Sequence, residues 1–312
     1  MADIGMPAIG FGTATIKGDA CVAAVLASLD AGVRLIDTAL LYDNQLAVGE
    51  ALRQTTIPRA DIWLTSKVAF FPSDNVASDP WMNAMLPNKK GGEASSIDLC
   101  LEQLGVESVN LMLIHSPCTT AVEYNAARMP HYFEIFGREG SALAVKPALL
   151  TDGDSIRALL MSAKRAKVEA AIEADPTFIA RAKAERAAAW AALEAAQRGG
   201  KCTHIGVSNY TAELLLEMRD YATTMPAVNQ LELHPRYASP VLQRVAAELG
   251  VALTGYGSGN SVLIEDSPIV AAIAARVGKS PVQVVLKWTL QVLNYIFCCS
   301  FHTTMIFICS TN

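Results

Sequence analysis

The sequence predicts an α/β protein built as a (β/α)8 TIM barrel, on three observations. Short apolar runs that read as strands recur along the chain. Most are followed by a stretch in which apolar residues return with the period of a helix. The polar residues able to do chemistry collect at the C-terminal ends of the apolar runs. Strands that are apolar throughout, each joined to the next by a helix, imply a parallel sheet covered on both faces. At this number of repeats the closed solution is an eight-stranded barrel, with its site at the C-terminal ends of the strands. A chain of 312 residues, 52% hydrophobic and 18% charged, can bury one large core without being divided into domains.

The elements follow in order. Ala8 to Thr13 is an apolar run, and Val22, Val25, Leu26 and Leu29 then lie at i, i+3, i+4 and i+7, one face of a helix that Gly32 ends. Val33 to Ile36 is the second strand, with a helix from near Asn44 to Arg53. Ile62 to Lys67 is the third, and Ile97, Cys100, Leu101 and Leu104 repeat the helical spacing before Gly105 and the strand Val109 to His115. Beyond a long middle segment come strand Ile205 to Ser208, helix Ala212 to Tyr221, strand Ala227 to Leu231, helix Pro240 to Leu249 and strand Val251 to Tyr256. Pro281 to Gln291 is a further helix, with Ser280 as its cap and Pro281 at its first position.

Composition narrows the function. A formal charge of -5 and the absence of a basic stripe with interleaved aromatics argue against a nucleic-acid partner. The seven cysteines (Cys21, Cys100, Cys118, Cys202, Cys298, Cys299, Cys309) are an odd number without C-x-x-C spacing or clustering with His. They read as reduced thiols of a cytoplasmic protein, with no metal role. Met1 to Gly5 carries neither a basic nor an apolar leader region. A monomer acting on a small molecule is expected.

The chain is organised around the stretch from Val33 to Leu52. It holds a short apolar strand ending in Asp37, a loop presenting Tyr42, and the start of a helix. Alone, this Asp reads as a cap or turn residue and the Tyr as packing. Three later runs end in matching chemistry: Ile62 to Lys67, Val109 to His115, and His204 to Asn209. Asp37, Tyr42, Lys67 and His115, in this order, resemble the catalytic tetrad of the aldo-keto reductases. The surrounding words resemble that family too: Gly10-Phe-Gly-Thr13, Ile36-Asp-Thr38, Ser66-Lys67, Leu113-Ile-His115-Ser-Pro117, Ile205-Gly-Val-Ser-Asn209-Tyr210 and Asn229-Gln230-Leu-Glu-Leu-His234-Pro235. The resemblance runs from about Met6 to Gln291.

The resemblance implies reduction of an aldehyde or ketone by hydride from a nicotinamide cofactor, since none of these side chains can supply a hydride. A phenol, with an ordinary pKa of about 10, is a poor acid at neutral pH. A neighbouring ammonium favours the phenolate. Lys67 takes that part, Asp37 is the carboxylate a buried Lys needs, and His115 orients the carbonyl. Tyr42 is then the general acid for reduction. By resemblance, Ser208, Asn209 and Gln230 bind the nicotinamide carboxamide, Tyr256 stacks on its ring, and Thr13 joins the cofactor contacts. NADPH is the family's usual choice, with NADH as the alternative. The family's pyrophosphate loop is replaced here by Gly257-Ser258-Gly259-Asn260-Ser261.

Two segments depart from the family pattern. Residues 118–185 form an insertion, expected to be helical over Ser155 to Ala174 and Thr177 to Gln197 with a break near Asp175-Pro176. It is either a solvated appendage or a cover for the mouth, with Tyr124, His131, Tyr132, Phe133 and Phe136 as a substrate wall. The loop between Lys67 and Ile97 is also long. Residues 292–312 form an anomalous tail without Lys, Arg, Asp or Glu, where the family carries an eighth strand and a helix whose cations bind the adenosine 2′-phosphate. Three readings of it stay open: a foreign segment outside the working fold, a replacement eighth strand at Tyr295 to Ser300 or Met305 to Cys309, and a poor membrane anchor. The expected barrel therefore has an atypical, incomplete eighth unit. Two functions follow, an active carbonyl reductase or a scaffold that keeps the motifs but binds cofactor too weakly to turn over.

Overall fold

Eight parallel strands close into a barrel in sequence order: β1 (Ile9–Gly12), β2 (Leu35–Asp37), β3 (Trp63–Val68), β4 (Val109–Ile114), β5 (Cys202–Ser208), β6 (Val228–Glu232), β7 (Ala252–Tyr256) and β8 (Tyr295–Cys299). This computed structural model describes residues 4–68, 92–117, 177–235, 238–258, 267–293 and 295–299. Helices cover the outside: α1 (Gly18–Asp30), α2 (Gln45–Gln54), α3 (Gly92–Leu104), α4 (Phe178–Arg198), α5 (Ala212–Glu217), α6 (Pro240–Leu249), α7 (Pro268–Val277) and α8 (Pro281–Val292).

Alternation along the strands sorts the core into two layers. Leu35, Trp63, Leu111, Leu113, Val228 and Ala252 point inward and, with Met6, fill the barrel. Ile36, Leu64, Met112, Ile114, Ile205 and Val207 point outward onto Val25, Val48, Ile97, Trp190 and Leu215 of the helices. Register places Leu35 beside Trp63, Thr65 beside Leu111, Leu111 beside His204 and Gly206 beside Val228. Within the barrel the His204 and Trp63 rings stack at 5.6 Å, and burial pulls the His204 imidazole below its ordinary range.

Caps act where the sequence places them. Ser280 and Gln283 make a reciprocal capping box at the start of α8, with Pro281 in its first turn. Gly278, at φ 66°, ends α7 in the left-handed conformation open to glycine. The helix expected over Ala212 to Tyr221 is shorter. α5 stops at Glu217 and a 3-10 turn, Met218–Asp220, follows. Contacts with α4 flank this change: Arg186 grips Glu217 with two hydrogen bonds of 2.8 and 2.7 Å, and Glu194 accepts from the backbone of Thr223 and Thr224. α4 lies where the second of the two expected helices, Thr177 to Gln197, was placed, most of it beyond residue 185. The first, the aromatic wall and the rest of 118–176 lie outside the described residues, as does the long loop over 69–91.

The strand reading of the tail holds for Tyr295–Cys299, which pairs with β1 from Ile9↔Ile296 to Gly12↔Cys299 and with β7 at Thr254↔Tyr295. The reading that puts the tail outside the fold is thereby corrected for these five residues. Aromatic and β-branched residues are the types that favour a strand. Residues 300–312 lie outside the described residues. Among the described residues no single helix is long and apolar enough to cross a membrane.

Two tests follow from this packing. A Cβ on Gly206 would lie 2.5 Å from the Val228 carbonyl oxygen and 2.7 Å from Leu113 Cδ2. Gly206→Ala is therefore expected to lower the unfolding free energy by about 1–3 kcal/mol in urea denaturation. Burial pushes the Cys21, Cys100 and Cys202 thiols from 9.0 up to about 11. Because the folded state holds these protons more tightly, their contribution is complete below the unfolded pKa and is lost as pH rises toward the folded value. Stability is expected to fall between pH 9 and 11, with a shallower fall in Cys100→Ala.

Candidate active site

The inward positions at the C-terminal ends of β2, β3, β5, β6 and β7 carry Asp37, Lys67, Ser208, Gln230 and Tyr256. His115 follows β4 directly. Tyr42 ends a 3-10 turn, Leu40–Tyr42, just after β2. Residues spread from 37 to 256 in sequence therefore meet at one mouth of the barrel.

At the centre, the Lys67 ammonium has 0% and the Asp37 carboxylate 4% of its side chain exposed. Lys67 Nζ donates to Asp37 Oδ1 at 2.6 Å, to the Thr38 carbonyl at 3.0 Å and to the Tyr42 hydroxyl at 3.3 Å. An ammonium has three hydrogens, so these partners account for all of them. The other Asp37 oxygen accepts from Gln230 Nε2 at 3.0 Å, a bond that crosses the barrel. The Asp37 backbone carbonyl takes both the amide and the hydroxyl of Thr13. The Tyr42 and His115 rings meet edge to face with centroids 5.4 Å apart.

A second group adjoins it. Asn209 sits at φ 64°, a left-handed conformation that Asn tolerates better than most residues. Its backbone amide donates to the Gln230 carbonyl, its Nδ2 donates to the His115 carbonyl and the Ser208 hydroxyl, and its Oδ1 accepts from the Tyr256 hydroxyl at 2.7 Å. One residue, by its side chain and its backbone amide, so ties together the ends of four successive strands. Ser258 is buried and donates to the Leu233 carbonyl. Residues 259–266 of the expected phosphate loop lie outside the described residues. Behind β3, Ser66 donates to Gln45 and Gln45 to Gln103, and Cys100 is a neutral buried thiol. Among the described residues no cluster of His, Cys, Asp or Glu could hold a metal ion.

All nine residues picked out in the sequence, Asp37, Tyr42, Lys67, His115, Thr13, Ser208, Asn209, Gln230 and Tyr256, thus lie in or against one constellation. Missed were the Thr38 carbonyl as a third partner of Lys67 and the buried Asn44, which bonds to Thr38 and Thr13. Asn44 was visible only as a residue near a helix start, where Asn is common as a cap.

The sequence model of the aldo/keto reductase family matches residues 8–307. An aldo-keto reductase of Mycolicibacterium paratuberculosis is 30% identical over 289 residues, covering 93% of this chain and 75% of that protein. One from Mycobacterium marinum is likewise 30% identical over 289 residues, with 93% and 75% covered. Among solved structures, an aldo/keto reductase from Brucella melitensis superposes with a TM-score of 0.67 at 24% identity, covering 97% of this chain and 86% of the other. The aldose reductase of Giardia lamblia gives 0.65 at 25% identity, covering 96% and 84%. The chain belongs to the aldo-keto reductase family. It is an oxidoreductase acting on carbonyl groups, in a family that uses nicotinamide cofactors.

The buried pair sets a measurable expectation. Asp37→Asn leaves the Lys67 ammonium without its counter-charge, and a loss of about 3–5 kcal/mol in unfolding free energy is expected. Replacing both partners, as Asp37→Leu with Lys67→Met, is expected to cost less than the single change. Urea denaturation of the two variants against the parent reads the difference.

Proposed function

We propose that this protein reduces an aldehyde or ketone to the alcohol with hydride from NADPH, and that Tyr42 is the general acid. The observation that carries this reading is the hydrogen bond from Lys67 to the Tyr42 oxygen. Because Lys67 donates there, the phenol's own hydrogen is the one left to be given away. As that proton moves to the developing alkoxide, negative charge grows on an oxygen already facing an ammonium, which lowers the barrier to transfer. Asp37 keeps the ammonium in place, and Gln230 and Thr13 keep Asp37 in place. The His115 ring, edge-on to Tyr42, orients the carbonyl oxygen toward the phenol.

The residues near β5 to β7 fit a nicotinamide. Ser208, Asn209 and Gln230 bring hydroxyl and amide groups to one place, matching the donor and acceptor of a primary carboxamide. Tyr256, partly exposed and with its hydroxyl fixed on Asn209, offers a flat face beside them. When bound, the cofactor supplies the hydride. These residues hold and orient it, and Thr13 follows β1, bonded to Asp37 at the end of β2.

A specific observation favours the second reading, a barrel that binds cofactor too weakly to turn over: beyond Trp288 the chain has no Lys or Arg to meet an adenosine 2′-phosphate. One titration separates the two. Under the first reading NADPH quenches the protein's tryptophan fluorescence and the protein then reduces members of an aldehyde panel. Tyr42→Phe is expected to lower kcat by about 10²-fold or more while leaving NADPH affinity close to the parent's. Normal turnover in that variant would remove the assigned role, and a folded parent that binds neither NADPH nor NADH would support the scaffold.

A further inference from the structure

Asn44 immediately precedes α2, where an Asn side chain ordinarily accepts from the unpaired N–H groups of the first turn. It makes no such bond. Its Oδ1 instead accepts from the Thr38 hydroxyl at 2.8 Å, and its Nδ2 donates to the carbonyls of Thr13 at 2.7 Å and Ile16 at 2.9 Å. Both amide hydrogens are thereby used, and the residue is buried, at 3% exposure. A side chain that gives up a cap to reach a loop about thirty residues earlier weakens its own helix. The gain is made elsewhere.

The bonds close a ring. Asn44 holds the Thr13 carbonyl, the Thr13 hydroxyl donates to the Asp37 carbonyl, Asp37 accepts from Lys67, Lys67 donates to the Thr38 carbonyl, and the Thr38 hydroxyl returns to Asn44. Tyr42 is two residues from Asn44, and Asp43 between them is held at φ 53°, a left-handed conformation unusual for a residue with a side chain. Outside the ring, Lys17 bridges to Asp43 at 3.0 Å, tying the same two loops on the surface.

We propose that Asn44 is a positioning residue that fixes the Tyr42 loop and the Thr13 to Ile16 loop as one unit, so that the phenol and the cofactor contact are set together. This rests on the functional reading given above. Its signature is a joint loss of turnover and cofactor affinity, unlike the loss from Tyr42→Phe, which falls on turnover alone.

Asn44→Ala and Asn44→Ser separate this role from a helix cap, because Ser caps a helix well and Ala does not. Both variants are expected to lose kcat at least about tenfold at saturating NADPH and substrate, since small misplacements of reacting groups are costly. Both are also expected to weaken NADPH binding several-fold in fluorescence titration without substrate. Asn44→Ser should unfold at a higher urea concentration than Asn44→Ala and yet be no more active. If Asn44→Ser recovers kcat and NADPH affinity in step with its stability, Asn44 serves the helix only and the proposal is overturned. Parent-like kcat and affinity in either variant overturn it as well. Should neither fold, Thr38→Val removes one bond of the ring from the buried side, and parent-like values there have the same meaning. Normal turnover in Tyr42→Phe would instead indict the assignment of the general acid, and the NADPH titration would still decide the role of Asn44.

Discussion

Two opposite charges taken out of water at the end of β2 and β3 constrain everything around them. Separating Lys67 from solvent without Asp37 would cost several kcal/mol, by the general energetics of buried ions (about 3–5 kcal/mol when one partner is removed). The two can meet only because their strands are neighbours in a fixed register. Asp37 stands beside Thr65, and Lys67 is the next inward residue along β3. The second carboxylate oxygen is satisfied from β6 across the barrel. Closure of the sheet is therefore a condition for burying the pair, as much as the pair is a feature of the closed sheet.

Around that pair, backbone carbonyls do much of the holding. Thr38 presents its carbonyl to the ammonium and its hydroxyl to Asn44, and Asp37 offers its carbonyl to Thr13. Such partners cannot be swapped by changing a side chain, which makes the constellation rigid. Asn209 does a similar service on the other side, with bonds to residues of β5, to the residue after β4, and to the ends of β6 and β7. A site that must hold a proton donor within hydrogen-bond reach of its target benefits from supports of this kind.

Much of this was legible in the sequence. Apolar runs ending in Asp37, Lys67, His115 and Ser208 marked the strand ends, because a barrel collects its chemistry there. The spacing of Val22, Val25, Leu26 and Leu29 marked α1 equally well. What stayed hidden was pairing. Gln230 and Asp37 are separated by 193 residues, and no periodicity announces their bond. Asn44 obeyed a local rule in appearance while its side chain served a distant loop. The tail was ambiguous because Tyr295–Cys299 has the composition of a strand but none of the cationic landmarks that would have anchored its place. Helix α5 ends at Glu217, where it is ion-paired to α4, a contact that local propensity cannot foresee.

The position of β8 has a consequence for the chain in solution. It is hydrogen-bonded on one side to β1 and on the other to β7. Were it to peel away, β1 and β7 would each expose a row of unpaired N–H and C=O groups, the template on which foreign strands add. The released segment, Tyr-Ile-Phe-Cys-Cys, is uncharged, free of proline and rich in strand-forming residues, the composition that stacks with copies of itself. The same five residues that complete the sheet are thus a latent site of aggregation, kept harmless by being the last piece of a ring with no ends.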